Sequence, residues 1–207
     1  MTAPAVLAID PARLCGLAMI WSGGMWCHTL KFRVVPPNPQ ELALLIADLT
    51  PRMPWGNADS WHLCVERMYV GGNNATSVTS AETAGMLTQE FGRMREFASV
   101  VRPYASQWRS ILWQGAARLS RDLAKAAAID LVERHYGVTV DDNAAEACCM
   151  ALWRVRELEH QEKRLRLDMP LPRTGKAPKR KPGIGRKRAR VTEEQVLALV
   201  AEKDSRR

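Results

Sequence analysis

The sequence has no apolar run approaching the roughly 20 residues that a membrane-spanning helix needs. Its N-terminus lacks the basic-then-apolar pattern of a secretory signal, so a cytoplasmic, membrane-free protein is expected. Cysteine is sparse: five residues, at 15, 27, 64, 148 and 149, an odd number with no C-x-x-C pair. That argues against a disulfide framework and a zinc site. The cysteines are expected to be small buried apolar residues in a reducing compartment. The histidines, at 28, 62, 135 and 160, are too scattered to form a zinc set. Gly71-Gly72 lacks the Lys and Ser/Thr of a phosphate-binding P-loop. Asn74-Ala75-Thr76 fits the glycosylation pattern only by chance without a secretory route, and no internal repeat is evident.

What is present is a charge imbalance along the chain. The 207 residues carry a net charge of +8, and 46% are hydrophobic, ample for one core and an extension. Residues 1–160 hold 15 Lys and Arg against 16 Asp and Glu, a net −1. Residues 161–207 hold 15 against 6, a net +9. The excess positive charge therefore belongs to the tail, which points to a polyanionic partner. Residues 173–190 have nine Lys and Arg, no acid, three glycines and two prolines. Such a stretch cannot build a packed core and is expected to be disordered when free. Residues 192–203 have the makings of a short helix, with Glu193 and Glu194 in its first turn. The expected division is a folded domain over 1–160 and a basic tail over 161–207.

Within the domain, Ala5 to Asp10 reads as a buried strand. Gly16 to Trp21 and Met25 to Phe32 read as a hairpin joined at Ser22-Gly23-Gly24. Residues 34–39, rich in proline, form a loop before a helix from about Gln40 to Leu49. Trp61 to Glu66 is the next strand. A helix from about Ser77 to Phe97 carries a small-residue face of Ala81, Ala84, Gly85 and Thr88. Ser99 to Arg102 is a short strand ended by Pro103. Ser120 to Tyr136 is a helix stopped by Gly137, and a last helix runs from Asp142 towards 160. The pattern is mixed α/β. The seven tryptophans are expected mainly in or beside the core.

Carboxylates sit at three telling places. Asp10 follows the apolar run Val6-Leu7-Ala8-Ile9, and Glu66 follows Leu63-Cys64-Val65. Asp141, Asp142 and Glu146 open the last helix. Acids on separate elements that converge are what a paired-metal site requires, and magnesium prefers oxygen ligands. Asp141 also suits a helix N-terminus as a favourable charge.

Ile9-Asp10-Pro11 with Gly16, then Val65-Glu66-Arg67-Met68-Tyr69, then Asp142-Asn143-Ala144-Ala145-Glu146-Ala147 together resemble the RuvC Holliday-junction resolvases, in their shorter phage-type form. Pro103 to Arg109, with Lys125, extends the resemblance, which covers about residues 4–155. It implies an RNase H-like fold: a mixed five-stranded sheet flanked by helices. It implies a dimeric Mg²⁺-dependent crossover junction endodeoxyribonuclease, with Mn²⁺ as a substitute metal, acting near the nucleoid of a bacterial or phage-infected cell. Asp10, Glu66 and Glu146 would hold the metals, with Asp142 or Asn143 completing the set. Tyr69 would stack on an unpaired base; Arg109 and Lys125 would contact phosphate, and Arg67 DNA. The sequence departs from the family pattern at Ala12, where the family has Gly, and at Glu146, where it has Asp. In the basic tail, outside the resemblance, Lys179, Arg180, Lys181, Arg186, Lys187 and Arg188 are candidate DNA contacts by charge. The rival readings are a non-catalytic junction-binding protein and an RNase H-like nuclease acting on forks or RNA–DNA hybrids. An actin-like ATPase is disfavoured by the short chain and the missing second phosphate loop.

Overall fold

The computed structural model describes residues 4–67, 74–112 and 120–166, the side chains of 74–76, 110–112 and 164–166 excepted. Tyr69, Trp113 and residues 167–207 of the basic tail, with the expected helix over 192–203, lie outside the described residues.

Three strands open the chain: β1 (Ala5–Asp10), β2 (Leu14–Trp21) and β3 (Gly24–Lys31). The two-residue connection Ser22-Gly23 closes the hairpin of β2 and β3, with Trp21 opposite Gly24. Helix α1 (Pro39–Leu49) follows, its Asn38 side chain accepting from the Gln40 amide at 2.8 Å and Pro39 set in the first turn. After two short 3₁₀ turns come β4 (Trp61–Val65), α2 (Asn74–Met94) and β5 (Ser99–Val101). Helices α3 (Ala105–Leu112), α4 (Arg121–Tyr136) and α5 (Asp142–Arg166) complete the described chain. Gly137 ends α4 at φ 68°, the left-handed conformation that glycine adopts without a side-chain clash.

The sheet runs in the order β3-β2-β1-β4-β5. β1 pairs antiparallel with β2 and parallel with β4, and β4 pairs parallel with β5. The central strands are buried on both faces, so they read as continuous apolar runs. One face packs Leu7, Ile9, Leu17, Met19 and Leu63 against α1 and α2. The other packs Val6, Ala8, Ala18 and Cys64 against α4, α5 and Trp108 of α3. Alanine and cysteine in Ala144–Ala151 let α5 lie close to the sheet. The closest approach is at Gly16, where an added Cβ would stand 2.1 Å from the Asn143 carbonyl oxygen.

Several expectations shift in detail. The hairpin strands begin one or two residues early, and α2 spans 74–94, not 77–97. Helix α3 was not anticipated, and α5 runs through Arg166, past residue 160. The buried face of α2 is Ser77, Ser80, Thr83, Ala84, Leu87 and Phe91. Of the small residues expected to pack closely, only Ala84 is in the core. Ala81 is exposed, and nothing lies within 4 Å of a Cβ built on Gly85. The cysteines are all free, and all but the half-buried Cys27 are buried. No helix among the described residues is long and apolar enough to cross a membrane. Trp61, Trp108 and Trp153 are buried, as expected of core tryptophans.

Candidate active site

Parallel pairing of β1 and β4 sets Ile9 beside Val65, so the residues that follow, Asp10 and Glu66, emerge together at one end of the sheet. The Glu66 amide donates to the Ile9 carbonyl at 2.9 Å, which fixes that emergence. Helix α5 begins over the same end and presents Glu146, 7% exposed. Asp10, Glu66 and Glu146 are close enough to perturb one another. Burial first, then the Glu66 carboxylate and Glu146, push Asp10 well above the usual carboxylate range, and Arg109 opposes this. Burial also raises Glu66, against the lowering effects of its hydrogen bonds with Asp10 and Trp108 and of the Arg109 charge.

Helix α3 supplies the cationic wall. Arg109 pairs with Glu146 and lies over the Trp108 ring, 4.9 Å from its centroid. The Trp108 indole donates to Glu66 at 3.3 Å. Sequence reading expected the tryptophans mainly in or beside the core and gave none a catalytic role; the place of Trp108 beside Arg109 on an unanticipated helix concealed its contact with the acid.

The two aspartates at the start of α5 part company. Asp141 caps the helix: its Oδ1 accepts from the Asn143 and Ala144 amides, each at 3.0 Å, and from the Thr29 hydroxyl at 2.8 Å. Asp142 pairs with Lys125 of α4, whose ammonium holds its carboxyl below the usual range. The Asn143 side-chain amide donates through Nδ2 to Asp142 at 3.0 Å. The structure therefore brings Asp10, Glu66, Glu146 and Arg109 into one cluster and sets Asp142 with Lys125 and Asn143. Arg67 is exposed and stacks on Tyr104, 4.8 Å from the ring centroid. The expected base-stacking Tyr69 and the tail cations lie outside the described residues.

The donor chemistry suits a hard divalent cation, since all three clustered acids offer oxygen and their mutual repulsion is relieved by positive charge. Arg109 currently supplies that charge. Among the described residues, no three Asp, Glu, His or Cys side chains are arranged about a common ion position. The Glu146 carboxylate would turn from Arg109 to join such a set.

No family model and no curated protein matches the sequence. Solved structures do. A Thermus thermophilus RuvC in complex with a Holliday junction substrate is similar at TM-score 0.56 and 14% identity, over 76% of this chain and 96% of that one. A second Thermus thermophilus RuvC structure is similar at TM-score 0.52 and 16% identity, with the same coverage. The chain has a RuvC-like, RNase H-like α/β fold.

Proposed function

We propose that this protein is a divalent-metal-dependent endonuclease that cuts branched DNA, with the four-way junction as its substrate. The observation that carries the reading is the cluster of Asp10, Glu66 and Glu146 at one sheet end, beside Arg109, in a fold shared with RuvC. Asp10, Glu66 and Glu146 would hold Mg²⁺ or Mn²⁺, with Asp142 or Asn143 completing the set. The metal, when bound, would polarise the scissile phosphate and make water a better nucleophile. Arg109 and Lys125 now pair with carboxylates and would exchange them for phosphate oxygens of the bound strand. Water adds to phosphorus and the bond to the 3′ oxygen breaks, leaving 5′-phosphate and 3′-hydroxyl ends. The Trp108 indole, donating to Glu66, would orient its carboxylate.

A four-way junction has near two-fold symmetry, so a homodimer would offer one site to each of two opposed strands. The exposed side of α2, with Val78 at 53% exposure beside Ala81 and Gly85, is the dimer face we favour. Tyr69 would stack on a splayed base, Arg67 would leave Tyr104 for DNA, and the tail cations would neutralise phosphates.

The test is cleavage of a mobile junction, a fork, a flap and an RNA–DNA hybrid, with and without Mg²⁺. Junction cutting that needs Mg²⁺ and disappears in Asp10→Asn and Glu66→Gln, with junction binding retained, supports the proposal. Near wild-type cutting by either variant refutes the site. A second reading, a junction-binding protein without catalysis, is favoured by the pairs Arg109–Glu146 and Lys125–Asp142, which satisfy the acids without a metal. Binding with no cutting in any divalent metal would select it.

A further inference from the structure

The expected DNA contacts near the acids are on α3, α4 and the loop after β4. The opposite flank, formed by β2 and β3, carries a second set of cations. Arg13 stands in the turn before β2, Lys31 ends β3, and Arg33 follows it; all three are exposed. The Phe32 amide donates to the Arg13 carbonyl at 3.0 Å, and Lys31 pairs with Leu14. These contacts hold the three residues at one corner of the sheet.

That corner adjoins the acids. Asp10, Gly16 and Thr29 form one row across β1, β2 and β3. The first turn of α5 lies on this row, with Asn143 against Gly16 and Asp141 against Thr29. Leu30 and Phe32 are buried with the α1 side, so by alternation Lys31 faces the α5 side, as Thr29 does. Arg13, opposite Phe32, starts from the α1 side and meets the corner only at the end of the sheet, beyond the strand ends, as Arg33 does. Lys31 is two residues beyond the row that the helix covers, so neither it nor Leu14, 42% exposed, is roofed. From Asp10, two strand spacings and two residues amount to about 12 Å. At 3.4 Å of axial rise per nucleotide on one strand, this corresponds to about four nucleotides from a phosphate at the acids.

None of the three cations is in an ion pair among the described residues. Of the nearby acids, Asp141 accepts from Thr29 and two helix amides, and Glu41 accepts from the Arg33 amide at 3.3 Å, so they offset part of this charge.

We propose that Arg13, Lys31 and Arg33 form a phosphate-contact strip for the DNA arm on the β2–β3 side of the site. The inference rests on the DNA-cutting reading and extends it to an arm that no other contact serves. The strip reads backbone charge, so it adds affinity and orientation without base preference.

The test uses the full chain and a four-way junction without divalent metal, with affinity measured from about 50 to 200 mM salt. The variant is the triple Arg13→Gln, Lys31→Gln, Arg33→Gln. The control is the triple Arg52→Gln, Arg93→Gln, Arg134→Gln, which removes the same charge from ion-paired surface positions. The strip variant should bind more weakly, with a log–log salt slope shallower by about 0.9 per contact, about 2.7 for three. The control should keep the wild-type slope and the wild-type cutting rate at saturating DNA. Equal slopes for strip variant and wild type, while the wild type binds and cuts, overturn the strip alone. So does a strip variant that binds normally but aggregates, because exposed cations then serve only to guard the edge strand β3. A wild type that binds no DNA overturns the strip and the proposed function together.

Discussion

Replacing Gly16 by alanine should damage stability and cutting together, through one contact. A Cβ at residue 16 would stand 2.1 Å from the Asn143 carbonyl oxygen, 2.6 Å from its carbon and 3.3 Å from the Ala144 nitrogen. Ordinary contact begins at 3.4 Å, so α5 or β2 must retreat by about 1.3 Å. Neither side can yield by turning a side chain. The atoms met are backbone of the first turn of α5, and Gly16 is held in the ladder between Asp10 and Thr29. The helix is also held by the Asp141 cap and by Ala144 to Trp153, which are buried against the sheet. Overpacking in such a place costs about 1–3 kcal/mol, and two blocked elements put this one near 3 kcal/mol. For a domain of this size each kcal/mol is worth about 2–4 °C, so Tm should fall by about 6–12 °C. Glu146 rides on the displaced helix, and a displacement of about 1 Å at a catalytic group costs roughly 100-fold in rate. Thermal melts followed by circular dichroism, and junction cleavage at saturating substrate below the melting range, measure the two effects. Gly56→Ala is the control: Gly56 is exposed and nothing lies within 4 Å of its Cβ. Gly16→Ala that melts within about 2 °C of wild type and cuts at the wild-type rate would refute the reasoning.

Three further outcomes are expected. Asp141→Ala should lower Tm by a few degrees, since losing an N-cap costs about 1 kcal/mol, whereas Asp142→Asn should barely change Tm but should slow cutting; reversed effects would exchange their roles. His62 bonds Ser99 at 2.8 Å, and burial, then Arg154, lowers its pKa from 6.5, so its neutral form belongs to the folded state. Its contribution to stability is therefore full above pH 6.5 and declines as pH falls towards the lower folded value; thermal melts from neutral to acid pH should show a smaller acid loss in His62→Gln, and an equal loss would refute the assignment. Deleting residues 169–207 should weaken binding to junction and duplex alike and flatten the salt dependence, because 173–190 carry nine cations and no acid; an unchanged slope would mean the tail does not touch DNA.

The strands were legible because burial on both faces leaves continuous apolar runs, and a carboxylate at the end of such a run is conspicuous. That is why Asp10 and Glu66 could be named and why the structure finds them side by side. The cap at Asp141 was legible too, from an acid ahead of a helix. Helix α3 was not. Its residues, Ala105 to Leu112, mix Ser, Gln and Arg with three aliphatic residues and one tryptophan, too short a stretch for a period to declare itself. Its helical form follows from docking Trp108 against α5 and β4, a tertiary gain that local pattern does not encode. The face of α2 was misjudged for a related reason. Small residues permit close approach but do not require it, and the sheet took the side bearing Leu87 and Phe91, which buries more apolar area.

The division of labour at the start of α5 was the least visible feature, and it explains much of the site. Asp141, Asp142 and Glu146 are similar groups within six residues. What separates them is not sequence spacing but what lies opposite each one. Asp141 meets a strand hydroxyl and its own helix amides, so it builds structure. Asp142 meets Lys125 from α4, and Glu146 meets Arg109 from α3. Each of those cations reaches the site from a helix that follows β5, with Lys125 on the far side of residues 113–119 from Arg109. A helix that presents two acids to two cations on separate elements is held at both points, and either pair can open without loss of the Asp141 cap. Arrival of a cation, or of a phosphate, would exchange partners at Glu146 and Asp142 while the backbone of α5 stays where Gly16 lets it rest.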